Sequence, residues 1–193
     1  MKILIACEES QEVCKAFRAK GHEAFSCDIL PCSGGHPEWH IQGDVLEQLD
    51  GGWDMMIAHP PCTYLSNAGA SWLYPKGEIN CERYESGMEG RDFFMSLLNS
   101  NIPKICVENP TPSKVFDLPI HTQVIQPYEH GHPFQKRTLF WLRGLPLLEP
   151  TNILDVGEPT TTAKWFNGKD RKRSRSKTFP GIAKAMAEQW GII

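Results

Sequence analysis

The sequence predicts an α/β fold built on an open, mostly parallel sheet, and three observations carry that prediction. Lys2-Ile3-Leu4-Ile5-Ala6 is a short, nearly continuous apolar run, as expected of a parallel strand buried on both faces. A helical stretch follows it and leads to a second strand that ends on an acid, Asp28. The alternation of strands and helical patterns then continues along the chain, without internal repeats or low-complexity tracts.

The elements follow in order. Ser10 stands where an N-cap is expected, and residues 11–20 place Val13, Ala16 and Phe17 at helical spacing before Gly21 ends the helix. The second strand occupies 23–27. A loop rich in Pro, Gly, Cys and His (30–40) leads to Gly43-Asp44-Val45, where a third strand ends. Residues 53–58 read as a fourth strand running into His59-Pro60-Pro61-Cys62. After mixed signals over 63–85, residues 87–98 carry Met88, Phe94, Met95 and Leu98 in a helical pattern. Residues 104–107 form a fifth strand ending on Glu108-Asn109-Pro110, residues 122–126 and 138–142 look like an antiparallel hairpin, and 180–190 like a closing helix. Ligands of open sheets bind outside the carboxyl ends of the strands, and Asp28, Asp44, Cys62 and Glu108 all fall at such ends.

A length of 193 residues suits one domain, here spanning 1–193. The composition, 40% hydrophobic and 22% charged, is that of a soluble globular chain. No apolar run approaches the ~20 residues of a membrane span, and a signal-peptide pattern is missing, so no membrane partner is expected. The seven cysteines are odd in number and scattered, which reads as reduced cytoplasmic thiols. The net charge of −3 conceals a basic segment: seven cations against one acid lie between Lys164 and Lys177, and the remainder is acidic. Such a segment suits an anionic partner, although a solvated loop would show the same pattern.

Cys62 is the most informative residue. Two prolines stiffen its approach from the fourth strand, so the thiol projects from a fixed point. A nucleophilic cysteine needs help toward its thiolate, from a helix N-terminus or a cation such as Arg137, whereas a structural cysteine would simply be buried. Glu108 sits beside it if the fourth and fifth strands are neighbours. There it would be protonated by burial and hydrogen-bond a ring nitrogen, or else serve as a cap or ion-pair partner. Gln135-Lys136-Arg137 supplies an amide and cations. Cys32, His36 and His40 are spaced by four, yet Gly34, Gly35 and Pro37 disfavour the helix that would gather them on a metal, and no metal is expected.

Taken together and in order, these motifs resemble the DNA cytosine-5 methyltransferases, in a compact, phage-type form. Pro60-Pro61-Cys62 matches the family's nucleophile motif, and Glu108-Asn109 matches its Glu-Asn-Val motif with Pro110 in place of valine. Gln135-Lys136-Arg137 half matches Gln-x-Arg-x-Arg, because Leu139 replaces the second arginine. Asp28 falls at the acid that holds the ribose of S-adenosylmethionine, with Ile29 after it, and Asp44-Val45 at the stretch that meets the adenine. Phe179 to Ala183 looks like a degenerate last motif. The resemblance implies a Rossmann-like S-adenosylmethionine-dependent methyltransferase fold and Cys62, Glu108 and Arg137 as catalytic residues. It implies cofactor contacts from Cys7, Glu8, Glu9, Ser10, Asp28, Ile29, Asp44, Val45 and Pro60. DNA or a cytosine nucleotide would be met by Pro61, Asn109, Gln135, Trp165, Arg171, Arg173 and Arg175.

The sequence departs from the family in two places. Cys7-Glu8-Glu9-Ser10 stands where a glycine-rich turn belongs, so the cofactor turn has another shape or the cofactor is lost. In place of a large recognition domain there is only the basic insert at about 151–178, with Trp165 and Phe166 at its edge for stacking. A folate-dependent pyrimidine enzyme and a degenerate DNA-binding or decoy protein are the competing readings.

Overall fold

In the central strands, alternate side chains enter two separate cores, because both faces of the sheet are covered. Ile3, Ile5, Met55, Ile57, Cys106 and Phe140 join one core, and Leu4, Ala6, Met56, Ala58, Ile105, Val107, Leu139 and Trp141 the other. The computed structural model describes residues 1–155, 160–161 and 177–193. Trp165, Arg171, Arg173 and Arg175, expected to meet the substrate, lie outside the described residues.

The sheet contains β1 (Lys2–Ala6), β2 (Glu23–Asp28), β3 (His40–Gln42), β4 (Met55–Ala58), β5 (Lys104–Asn109), β6 (Gln123–Ile125) and β8 (Thr138–Arg143). Its order is β3-β2-β1-β4-β5-β8-β6. The first five strands pair in parallel, and β8 runs antiparallel to both β5 and β6. This is a doubly wound sheet carrying a reversed strand between β5 and β6, the Rossmann-like methyltransferase fold the sequence predicts. A second, two-stranded sheet pairs β7 (Phe134–Gln135) with β9 (Thr160–Thr161) in parallel.

Four α-helices are described: α1 (Glu12–Ala19), the short α2 (Ala70–Leu73), α3 (Cys81–Leu98) and α4 (Pro180–Gln189). Helices α1 and α4 cover the first core, where Val13, Phe17, Met186 and Trp190 are buried. Their ends are tied by Lys20 to Glu188 at 3.0 Å, and the Trp190 indole donates to the Pro146 carbonyl at 3.1 Å. Helix α1 ends as expected, with Gly21 at φ +84° just beyond it.

Its beginning corrects the sequence reading. Ser10 is not the N-cap; Gln11 is, in a left-handed conformation, and the free amides are taken by the carboxylate of Glu8 instead. A carboxylate satisfies two donors of a helix N-terminus and complements its dipole, which a serine hydroxyl does less well.

Helix α3 covers the second core. It starts six residues earlier than its apolar pattern suggests, because the Asn80 side chain caps it by accepting the Arg83 amide at 3.1 Å. Phe94 meets Trp141 edge-on at 5.0 Å, and Arg91 donates to the Phe116 carbonyl at 2.9 Å. A Cβ at Gly87 would collide with the Phe116 ring. Gly87→Ala should therefore lower stability by about 1–2 kcal/mol despite the better helix propensity of alanine, read as a lower urea midpoint at unchanged slope.

Candidate active site

Pairing register brings the strand ends together. Ala6 is level with Cys27 and Ala58, and Ala58 with Val107, so Cys7, Asp28, His59 and Glu108 emerge along one edge. Strand order reverses between β1 and β4, which opens the crevice where doubly wound sheets hold ligands.

The turn from β1 into α1 forms one wall. Cys7 and Gln11 adopt φ +58° and +59°, so the left-handed geometry usually given to glycine is retained without one. Glu8 is buried, and its carboxylate accepts the amides of Val13 at 2.7 Å and Cys14 at 3.2 Å. Burial raises its carboxyl above the ordinary value, opposed by His59 and by those two amides. Glu9 bonds the Ser33 hydroxyl through its carboxylate, and Ser10 is buried. The Cys7 thiol is pushed up by burial and then by Asp28, Cys27 and Asp44, so it stays protonated at neutral pH.

Gln11, which the sequence did not single out, is completely buried and clamps the loop over 30–40. Its amide nitrogen donates to Ser26 Oγ at 3.2 Å and the His36 carbonyl at 2.8 Å; its oxygen accepts the His36 amide at 3.1 Å and the Cys32 thiol at 3.2 Å. The residues weighed as metal ligands have other partners: His36 stacks on Trp39 at 3.7 Å, and His40 bonds Ser26 Oγ and the Leu30 carbonyl, both at 2.9 Å. Among the described residues there is no group of three metal-ligating side chains.

Asp28 and Asp44 each fold back on their own loop, accepting the amides of Leu30 and Leu46 at 2.9 Å. Ile29 is 74% exposed and Leu46 40%, whereas Val45 is buried in the second core.

Around β4 and β5 the site becomes polar. His59 Nδ1 lies 3.3 Å from Glu108 Oε2, with the side chains 9% and 17% exposed. Both line a narrow pocket of about 20 Å³ with Lys136, Thr138, Phe140 and residues of the α4 entry, Thr178, Phe179 and Ile182. Burial works to raise the Glu108 carboxyl, but the His59 hydrogen bond and the Lys136 and His59 charges hold it below the ordinary value. The net direction opposes the protonation by burial that the sequence reading weighs for Glu108. The cation acting on it is Lys136, while Arg137 and Gln135 are exposed. Residue alternation along the chain turns Lys136 inward.

The loop of Cys62 is zipped to the loop after Glu108. Ser66 bridges Pro112, Asn67 N–H donates to the Thr111 carbonyl at 2.8 Å, and Ser113 N–H to the Leu65 carbonyl at 2.8 Å. Pro60 is buried, Pro61 exposed and Cys62 half-buried. Asn109 is fully buried, and neither polar atom of its side chain has a hydrogen-bond partner.

No protein-family model matches the sequence, and a search of curated proteins returned no match. Two solved structures are similar in fold. One is a protein described as a DNA modification methyltransferase encoded within a prophage of E. coli (TM-score 0.47, 15% identity, covering 86% of this chain and 55% of that one). The other is the Entamoeba histolytica methyltransferase EhMeth (TM-score 0.46, 11% identity, covering 86% and 60%). The chain thus spans less than two thirds of either neighbour.

The α4 entry that closes the pocket is docked by two histidines. His132 Nε2 accepts the Gly181 amide at 2.9 Å, and His130 Nδ1 pairs with Thr151 Oγ1 at 3.1 Å. Burial lowers the pKa of both, with His132 adding to the effect on His130, so folding favours the neutral rings. Their contribution is complete above about pH 6.5 and declines as the pH falls below the unfolded-state value, where unfolding takes up protons. The urea midpoint should drop between pH 7.5 and 5.5, and drop less in a His130→Gln/His132→Gln variant.

Proposed function

We propose that this protein transfers a methyl group from S-adenosylmethionine to C5 of cytosine in DNA or a cytosine nucleotide, through a covalent bond between Cys62 and C6. The observation that carries the reading is the pocket in which Glu108, His59 and Lys136 converge beside the loop that holds Cys62.

The first wall of the crevice fits the cofactor by its chemistry. Asp28 and Asp44 offer carboxylates for ribose hydroxyls and a cationic group, and the exposed Ile29 and Leu46 offer apolar surface for an adenine. The left-handed turn at Cys7–Gln11 keeps a cradle without glycine. On this reading Cys7, Glu9, Ser10 and Pro60 contact the cofactor, while Glu8 serves it by holding the N-terminus of α1. When bound, S-adenosylmethionine supplies an electrophilic methyl group.

The remaining chemistry belongs to the chain. C5 of cytosine is a poor nucleophile until a thiolate adds to C6, and Cys62 makes that addition from a backbone stiffened by Pro60 and Pro61. Glu108 accepts a hydrogen bond from the exocyclic amine. Covering it with a base strengthens the desolvation that already works to raise its carboxyl, favouring a proton held between Glu108 and N3. Lys136 neutralises the buried carboxylate when the pocket is empty, and Arg137 and Gln135 face outward toward a phosphate. In duplex DNA the base has to leave the stack first. Trp165, Arg171, Arg173 and Arg175 belong to the basic stretch, which suits phosphate contact and stacking.

The test is incubation of the protein with methyl-labelled S-adenosylmethionine and duplex DNA, single-stranded DNA, RNA or dCMP, followed by nucleoside analysis. Label in 5-methylcytosine supports the reading. Label in another base, or cofactor-independent DNA binding without any methylation, would replace it with a different specificity or with a degenerate binder.

A further inference from the structure

Where the resemblance accounts for Cys62 and Glu108, it leaves His59 without a role. The imidazole pairs with the half-buried Glu108 on β5, and the other charged groups that act on this pair are the buried Glu8 beyond β1, which couples electrostatically to His59, and Lys136, which acts on Glu108. His59 N–H is tied to the Ala6 carbonyl at 2.9 Å, so the backbone that carries the ring is fixed to the sheet.

Where Glu108 accepts as a carboxylate across the 3.3 Å contact, His59 Nδ1 is the donor. In that tautomer the lone pair of a neutral ring is on Nε2. That atom is buried and has no hydrogen-bond partner, an arrangement that costs stability unless a ligand completes it. A carboxylate on one ring nitrogen and a bare lone pair on the other is the geometry of a general base.

We infer that His59, oriented by Glu108 and lining the same pocket, is the base that removes the C5 proton, a role that rests on the cytosine C5 reading above. Once C5 carries its new substituent, the C5–H bond breaks and the proton passes to Nε2. The electron pair forms the C5–C6 double bond, and the C6–Sγ bond breaks to return Cys62 as thiolate. The imidazolium left behind pairs with Glu108 at the 3.3 Å contact, which favours it until the proton is lost to water. Glu108 uses Oε2 for the ring and retains Oε1 for the substrate.

His59→Asn tests this, since an Asn amide can still donate to Glu108 but provides nothing at the position of Nε2. Two readouts separate the steps. Covalent capture by a 5-fluorocytosine oligonucleotide needs addition and methyl transfer but no proton removal. Exchange of the C5 hydrogen of ordinary cytosine with solvent, measured without methyl donor, needs the base. His59→Asn should capture the fluorinated substrate within about three-fold of wild type and lose at least about 100-fold in C5 exchange. The variant overturns the inference if exchange survives within three-fold, or if capture and exchange fall together while the urea midpoint matches wild type. Should His59→Asn not fold, the same comparison is made with His59→Gln, which must show the same split. Failure of wild type itself to capture the fluorinated substrate would sink the cytosine reading, a distinct result.

Discussion

Cys62→Ser should abolish covalent capture of a 5-fluorocytosine substrate, with a loss of at least about 1,000-fold in the rate of adduct formation while cofactor affinity stays within a few-fold. A serine hydroxyl is almost wholly protonated at neutral pH and adds to C6 far more slowly than a thiolate. Intact-protein mass spectrometry reads the result directly. Cofactor affinity should be spared because the carboxylates that fit S-adenosylmethionine, Asp28 and Asp44, belong to β2 and the loop beyond β3, and β2 is two strands from β4, which leads to Cys62. Equal adduct formation by both proteins would remove Cys62 from the chemistry.

Gln11→Ala should cost about 3–4 kcal/mol, the largest expected effect on stability. The substitution strips partners from the buried Ser26 hydroxyl, from the half-buried Cys32 thiol and from both backbone polar groups of His36, and empties the fully buried place of the Gln11 side chain. Urea denaturation measures the loss. Proteolysis within 30–40 should accelerate as well, because this side chain is one of the loop's main anchors, beside the Glu9–Ser33 and His40–Ser26 contacts. If the loop were held instead by a metal through Cys32, His36 and His40, chelators would reproduce the effect and the substitution would not.

Much of the architecture was legible because it is written locally. The apolar runs at 2–6 and 104–107 and the alternation through 138–142 mark strands by their own composition, and Gly21 marks the end of α1. The strand-end acids were legible for the same reason. What escaped are contacts made across the fold. The pairing of His59 with Glu108 joins residues 49 apart, and the clamp from Gln11 to His36 joins residues 25 apart. Nothing near Gln11 distinguishes a buried amide from a solvated one. Glu8 was read as a ligand contact because a carboxylate beside an absent glycine turn suggests one, whereas the left-handed Gln11 turns the helix amides back upon it. The coupling of Lys136 to Glu108 is of the same kind: a motif gives residue types, but only the folded chain shows that Lys136 is half-buried beside Glu108 while Arg137 is exposed. For His59 a signal did exist, a titratable ring immediately ahead of the two prolines at a strand end.

The packing of α4 against α1 joins the last described helix to the first and has a consequence for synthesis. Phe17 and Val13 emerge early from the ribosome, but the surface that covers them includes Met186 and Trp190. Until those residues appear, one face of the finished strands β1, β4 and β5 stays open to solvent. Folding is therefore governed by contacts of high sequence separation, which predicts slow closure and a nascent chain that depends on chaperones to keep that face from aggregating.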